Sequence, residues 1–214
     1  MPVFIEGPRV AARPPRPKEG AHAYLDRSAR PEAAALRSLI EAWLEAYPEP
    51  GLAARLRSRR DDQHRSAFFE LLLHRLLLAS GHRISAIEPK LAHTWKSPDF
   101  LVDGAFYLEG ISAQGGDLHA VLKRKASRYG ALDLPLVVAV ACAEDDAGLR
   151  RVLAELWRWP RGPQRRTLSA VLAFEPVDPW SFRHSRIRLI RHPDAEIPLP
   201  EVDLGDGRQV GELV

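Results

Sequence analysis

The sequence predicts a mixed α/β fold: an α+β mixed sheet of parallel and antiparallel strands with helices packed on its faces. Three observations lead there. Stretches with helical spacing of apolar residues alternate with short strand-like runs from residue 65 to residue 191. The run from Leu134 to Ala143 is almost continuously apolar, as a central strand covered on both faces is. Asp103-Gly104 stands between two such short runs and signals a tight hairpin.

The elements follow in chain order. Residues 1–30 read as an extended Pro/Arg-rich arm, with Pro2, Pro8, Pro14, Pro15 and Pro17 near its start. Residues 31–60 read as an N-terminal helical extension. Pro31 suits a first helical position, and Leu36, Leu39, Ile40, Trp43, Leu44 and Tyr47 recur at steps of three and four. Pro48 and Pro50 stop that helix, and Leu52 to Arg59 adds a short basic one. A core spans 61–175. Its first helix, 65–80, is capped by Ser66 and ends before Gly81. It is apolar on most sides, yet carries Glu70 and His74 four residues apart on one face, and a carboxylate there needs a partner.

Three strands are expected next, at Arg83 to Leu91, Asp99 to Val102 and Ala105 to Ala113. A helix from Leu118 to about Ala131, the strand at 134–143, a helix from Ala147 to Trp159 and a strand from Leu168 to Phe174 complete the core. Residues 176–214 form a Pro-interrupted tail with one strand, Ile187 to Arg191.

Bulk properties narrow the function classes. The 214 residues carry a net charge of +3, a basic excess that permits nucleic-acid binding without demanding it. Cys142 is the single cysteine, which excludes an intrachain disulfide, argues against a Cys-based zinc site and points to the cytoplasm. No apolar leader or membrane-spanning run is expected. Lysine is rare, and four of the five lysines (Lys90, Lys96, Lys123 and Lys125) fall between residues 90 and 125.

Asp99 and Glu109 lie across the hairpin turn from each other, and two registers are open. A two-residue turn pairs Asp99 with Leu108; a three-residue turn, 103–105, pairs Val102 with Phe106 and Asp99 with Glu109. Alternation selects the second. It places Phe100, Val102, Phe106 and Leu108 on one wholly apolar face, with Asp99, Leu101, Tyr107, Glu109 and Ile111 on the other. Two facing carboxylates repel, and a cation between them reverses the sign. On spacing alone, the alternative is a pair of exposed acids on a solvent-facing hairpin, each near an Arg or Lys.

Ser97-Pro98-Asp99-Phe100-Leu101-Val102 followed by Phe106-Tyr107-Leu108-Glu109 resembles the second and third motifs of the PD-(D/E)xK, or restriction-endonuclease-like, nuclease superfamily. The helix containing Glu70 and the later segments 125–129 and 134–140 are similar to the remainder of that family's α-β-β-β-α-β core. The resemblance covers roughly residues 60–145. It implies that Asp99 and Glu109 are metal ligands for Mg²⁺ or Mn²⁺, that Glu70 helps position metal or water, and that phosphodiester bonds of DNA or RNA are hydrolysed. The family pattern Glu-x-Lys here reads Glu109-Gly110-Ile111; either the lysine comes from elsewhere, as in some superfamily members, or the rare lysines are surface residues on turns and helix faces. Lys125 is the first candidate, Lys123 the second and Lys96 the third. The competing expectation is a nuclease-fold module without catalysis that binds nucleic acid or protein. A homodimer or a partner subunit is compatible with both.

Other features carry two readings each. His64, His74, His82 and His93 are too dispersed for zinc, and His74 is expected to bond Glu70 or backbone. Ser112 and Gln114 are weak candidates for orienting water or backbone. Trp157 and Trp159, and the arginines at 55–60 and 161–166, suit either nucleic-acid contact or packing and solvated faces.

Overall fold

A computed structural model describes residues 2–16, 19–112, 117–141, 146–158, 168–175 and 181–214. The chain divides into two compact units, one running to Arg75 and one beginning at Leu76.

The first unit is helical: α1 (Ala21–Arg27), α2 (Pro31–Glu45), α3 (Pro50–Leu56) and most of α4 (Asp61–Ala79). The arm expected over 1–30 is not featureless. It contains α1, and Glu41 Oε1 on α2 accepts from the amides of Val3 (2.6 Å) and Phe4 (3.1 Å), whose side chains are buried. Pro31 takes the first-turn position of α2, as expected. The short basic helix runs over Pro50–Leu56 and not to Arg59.

Helix α4 starts at Asp61, about a turn before the expected Ser66 cap. Asp61 and Asp62 in its first turn complement the helix dipole, and Asp61 also pairs with Arg65 at 2.6 Å. Its end is as read. Gly81 has φ +83, its amide bonds Leu78 O and the His82 amide bonds Leu77 O, the two bonds of a Schellman stop.

The second unit is built on one six-stranded sheet of order β1-β2-β3-β4-β5-β6. The strands are β1 (Ile84–Ile87), β2 (Phe100–Val102), β3 (Phe106–Ser112), β4 (Leu136–Ala141), β5 (Leu168–Phe174) and β6 (Ile187–Arg191), with α5 (Leu118–Ala126) and α6 (Asp146–Trp157) in the crossovers. Strands β1, β2 and β3 form an antiparallel meander, β3, β4 and β5 are parallel, and β6 returns antiparallel to β5. The mixed α/β class and the order of elements match the sequence reading. Strand β4 is buried along its whole length, as its unbroken apolar run requires. Cys142 and Gln114 lie outside the described residues, as do Trp159 and residues 161–167.

Two elements are shorter than expected. Strand β1 stops at Ile87 because Glu88 adopts φ +46 and turns the chain away. Helix α5 stops at Ala126, where Ser127 Oγ bonds Lys123 O at 2.8 Å and Gly130, at φ +70, reverses the chain. That early stop carries Tyr129 off the helix and into the core.

The hairpin register is the three-residue one: Val102 faces Phe106, Leu101 faces Tyr107 and Phe100 faces Leu108. Phe100, Val102, Phe106 and Leu108 are all fully buried on one face. On the other face Tyr107 and Ile111 join Leu118, Leu122 and Ala126 of α5 and Leu149, Leu153 and Leu156 of α6 in one apolar cluster.

Candidate functional site

Continuing the register one step beyond Phe100 and Leu108 puts Asp99 across from Glu109. Asp99 Oδ2 accepts the amide of Gly110 at 2.7 Å, so its carboxylate is held against the backbone of β3 beside Glu109. The alternation that buries Tyr107 and Ile111 under α5 buries Glu109 with them: it is 1 % exposed. The expectation of two exposed acids therefore fails for Glu109.

A buried carboxylate needs compensating donors. Glu109 has three. The Lys125 ammonium, from the last turn of α5, pairs with Oε1. Arg128 Nη1 approaches the same oxygen at 3.4 Å. The Tyr129 hydroxyl lies 2.5 Å from Oε2 and 3.2 Å from the Ser97 carbonyl. Burial, and then the charge of Glu109, pushes the Tyr129 phenol well above its ordinary value, so it remains a donor. Asp99, Glu109, Lys125 and Arg128 together are formally neutral, which lets two acids sit on a largely covered sheet face.

Lys125, the first candidate of the rare lysines, thus reaches Glu109, while Ile111 occupies the Glu-x-Lys position inside the apolar cluster at 7 % exposure. Lys96 is not among the described donors to Glu109; its Nζ lies 5.7 Å from the Trp95 ring centroid. Arg128, Tyr129 and Ser97 were not recognised as site residues from the sequence. The available signal was Tyr129 four residues after Lys125, inside the helix expected from Leu118 to about Ala131.

Glu70 belongs to a cluster of the first unit. Its Oε1 accepts from the Tyr47 hydroxyl (2.7 Å) and Arg55 Nη2 (2.8 Å), and its Oε2 from Arg55 Nη1 (2.7 Å). The partner demanded by a carboxylate in so apolar a helix is therefore Arg55, with Tyr47. The His74 ring packs on Tyr47 at 4.7 Å between centroids, and burial lowers its pKa to about 4.

Among the described residues no three His, Cys, Asp or Glu side chains gather as a metal-holding group. No described helix is long and apolar enough to cross a membrane. Comparison with family models, with curated proteins and with solved structures returns no match.

Proposed function

We propose that the second unit is a PD-(D/E)xK-type, restriction-endonuclease-like phosphodiester hydrolase site in which Lys125, delivered by the crossover helix, stands in for the missing motif lysine. The observation that carries this reading is the contact between the Lys125 ammonium and Glu109 Oε1, with Asp99 one register step beyond the last β2–β3 pair. An antiparallel three-strand meander followed by a crossover helix and a strand parallel to β3 supports the same assignment.

The donor set suits a hard cation. Mg²⁺ needs one or two carboxylates, the rest of its shell being water and phosphate oxygen, and Asp99 and Glu109 supply two. When bound, Mg²⁺ or Mn²⁺ would activate water and stabilise charge on the phosphate. The chain's own residues then divide the remaining work. Tyr129 fixes Glu109 Oε2, Gly110 fixes Asp99 Oδ2, and Lys125 supplies a positive charge and a proton donor beside the carboxylates.

The test is nicking of plasmid DNA and of single-stranded DNA and RNA with Mg²⁺ or Mn²⁺. The wild-type protein is expected to cut at least one of these, and both Asp99→Ala and Lys125→Ala to lose the activity. Absence of cleavage on every substrate with both metals would overturn the reading.

Two observations favour a second reading, a nuclease-fold module without catalysis that binds nucleic acid or protein. Glu109 already has both oxygens bonded, and Ile111 fills the motif-lysine position with hydrocarbon. That reading predicts nucleic-acid affinity, or a protein partner, independent of divalent ions.

A further inference from the structure

The loop between β1 and β2 is tied to the proposed site at two points, and both are on Tyr129. His93 Nε2 donates to the Tyr129 carbonyl at 2.6 Å, and the Ser97 carbonyl lies 3.2 Å from the Tyr129 hydroxyl. The segment 94–96 therefore spans the residue that also holds Glu109. At its tip Trp95 is 87 % exposed. Among the described residues the large apolar side chains left exposed are Ile5, Val10, Leu78 and Trp95, of which Trp95 alone is aromatic.

The ring is held out from a braced loop. Thr94 pairs with Leu91, and Thr94 Oγ1 accepts the Lys96 amide at 3.2 Å. The next residue, Lys96, places its ammonium 5.7 Å from the ring centroid. Consecutive residues thus offer an exposed aromatic ring with a cation over one of its faces. A nucleotide presents the matching pair, a π-faced base and an adjoining phosphate. Bases in a duplex have their faces covered by their neighbours, so the complementary ligand is unpaired.

We infer that Trp95 and Lys96 form a stacking platform for single-stranded nucleic acid, with an unpaired base on the Trp95 ring and its phosphate on Lys96. This names the substrate class of the proposed hydrolase site and rests on that reading for its biological sense, though not for its test. Ser97, the neighbour of Lys96, meets the Tyr129 hydroxyl that also bonds Glu109, so the platform stands on the loop that braces the proposed site. The platform reads no sequence in particular, because every base has a π face.

The experiment is fluorescence anisotropy with a labelled oligothymidylate at low salt in EDTA, using the full chain. Wild-type protein is expected to bind it and to prefer it to a duplex of the same length. Trp95→Ala should weaken binding roughly five- to 150-fold, the range for loss of one stacked base. Trp95→Phe should recover most of the affinity, and Lys96→Gln should weaken binding and flatten its salt dependence. Because Trp95 is solvent-exposed, all three variants should keep the wild-type urea midpoint. Equal affinity of wild type and Trp95→Ala, or no wild-type binding, would overturn the platform and leave the exposed ring to a protein partner. Because EDTA removes divalent ions, this result is independent of nicking: lost nicking with Trp95-dependent binding would remove only the hydrolase reading.

Discussion

Lys125 and Glu109, sixteen residues apart in sequence, meet as an ion pair beneath the crossover helix, with the carboxylate almost wholly removed from water and the ammonium largely so. Strand β3 sets the height of Glu109 and the final turn of α5 sets that of Lys125. The pair therefore reports on whether the helix is docked on the sheet.

Removing either partner should expose the cost of the other. Lys125→Ala leaves Glu109 with Arg128 and Tyr129, so the loss should fall below the full cost of orphaning a buried charge, at about 2–3 kcal/mol. Glu109→Gln should cost a similar amount. The double variant should lose clearly less than the sum of the two. Urea denaturation of the four proteins reads this, and additivity within about 0.5 kcal/mol would show that the pair is not coupled.

Tyr129→Phe deletes one hydroxyl that donates to a buried charge. Its cost should be about 1.5–3 kcal/mol, the range for hydrogen bonds to charged groups. Tyr107→Phe is the control. The Tyr107 hydroxyl bonds Asp133 at 3.1 Å, and Asp133 is exposed, so that loss should stay near 0.5–1 kcal/mol. Urea midpoints that rank the two variants the other way would contradict the geometry.

The first unit should lose stability on mild acidification because of His64. Its ring is fully buried in α4, Nδ1 bonds Leu56 O at 2.6 Å, and burial lowers its pKa from 6.5 to about 4. Below pH ~6.5 the unfolded chain binds a proton that the folded chain refuses until pH ~4, so stability falls through that window and levels off beneath it. The contribution of His64 is about 3 kcal/mol. Comparison of wild type with His64→Phe between pH 7 and pH 4.5, above most carboxylate titration, isolates it. Parallel curves would contradict the burial.

Much of the second unit was legible because its signals are local and redundant. The unbroken apolar run gave β4, and the alternation around Asp103-Gly104 gave the hairpin register, since a slip by one residue would have put Glu109 on the face of Phe100 and Val102. What was missed depends on tertiary placement. The stop of α5 at Ala126 turns on Gly130 in a left-handed conformation, and periodicity alone carries the helix through it. Tyr129 consequently looked like one more apolar helix residue and not the donor to Glu109. Glu70 is a site acid by the family resemblance alone, and its partner Arg55 lies in a basic stretch with no pattern that announces the pair. The N-terminal arm looked unstructured because the acceptor that fixes it, Glu41, is on another helix.

Arg55→Ala should therefore destabilise the first unit by about 2–4 kcal/mol, since Glu70 is 5 % exposed and among the described residues would retain Tyr47 alone as a donor. Arg60→Ala, whose ion pair with Asp62 at 2.9 Å is exposed on both sides, should cost far less. Thermal or urea unfolding followed by helical circular dichroism measures both. Equal costs would mean that the Glu70 pair is not what holds α3 to α4.

The measurement closest to the heart of the account is a Mn²⁺ titration of the intact protein, read by paramagnetic resonance of the free ion, with Asp99→Asn alongside. Asparagine can still accept the Gly110 amide, so the variant should keep the hairpin while losing one of the two charges. Uptake of one Mn²⁺ by the wild type and its loss in Asp99→Asn is the expected outcome. No uptake by the wild type, or the same uptake by both, would contradict a cation site at Asp99 and Glu109.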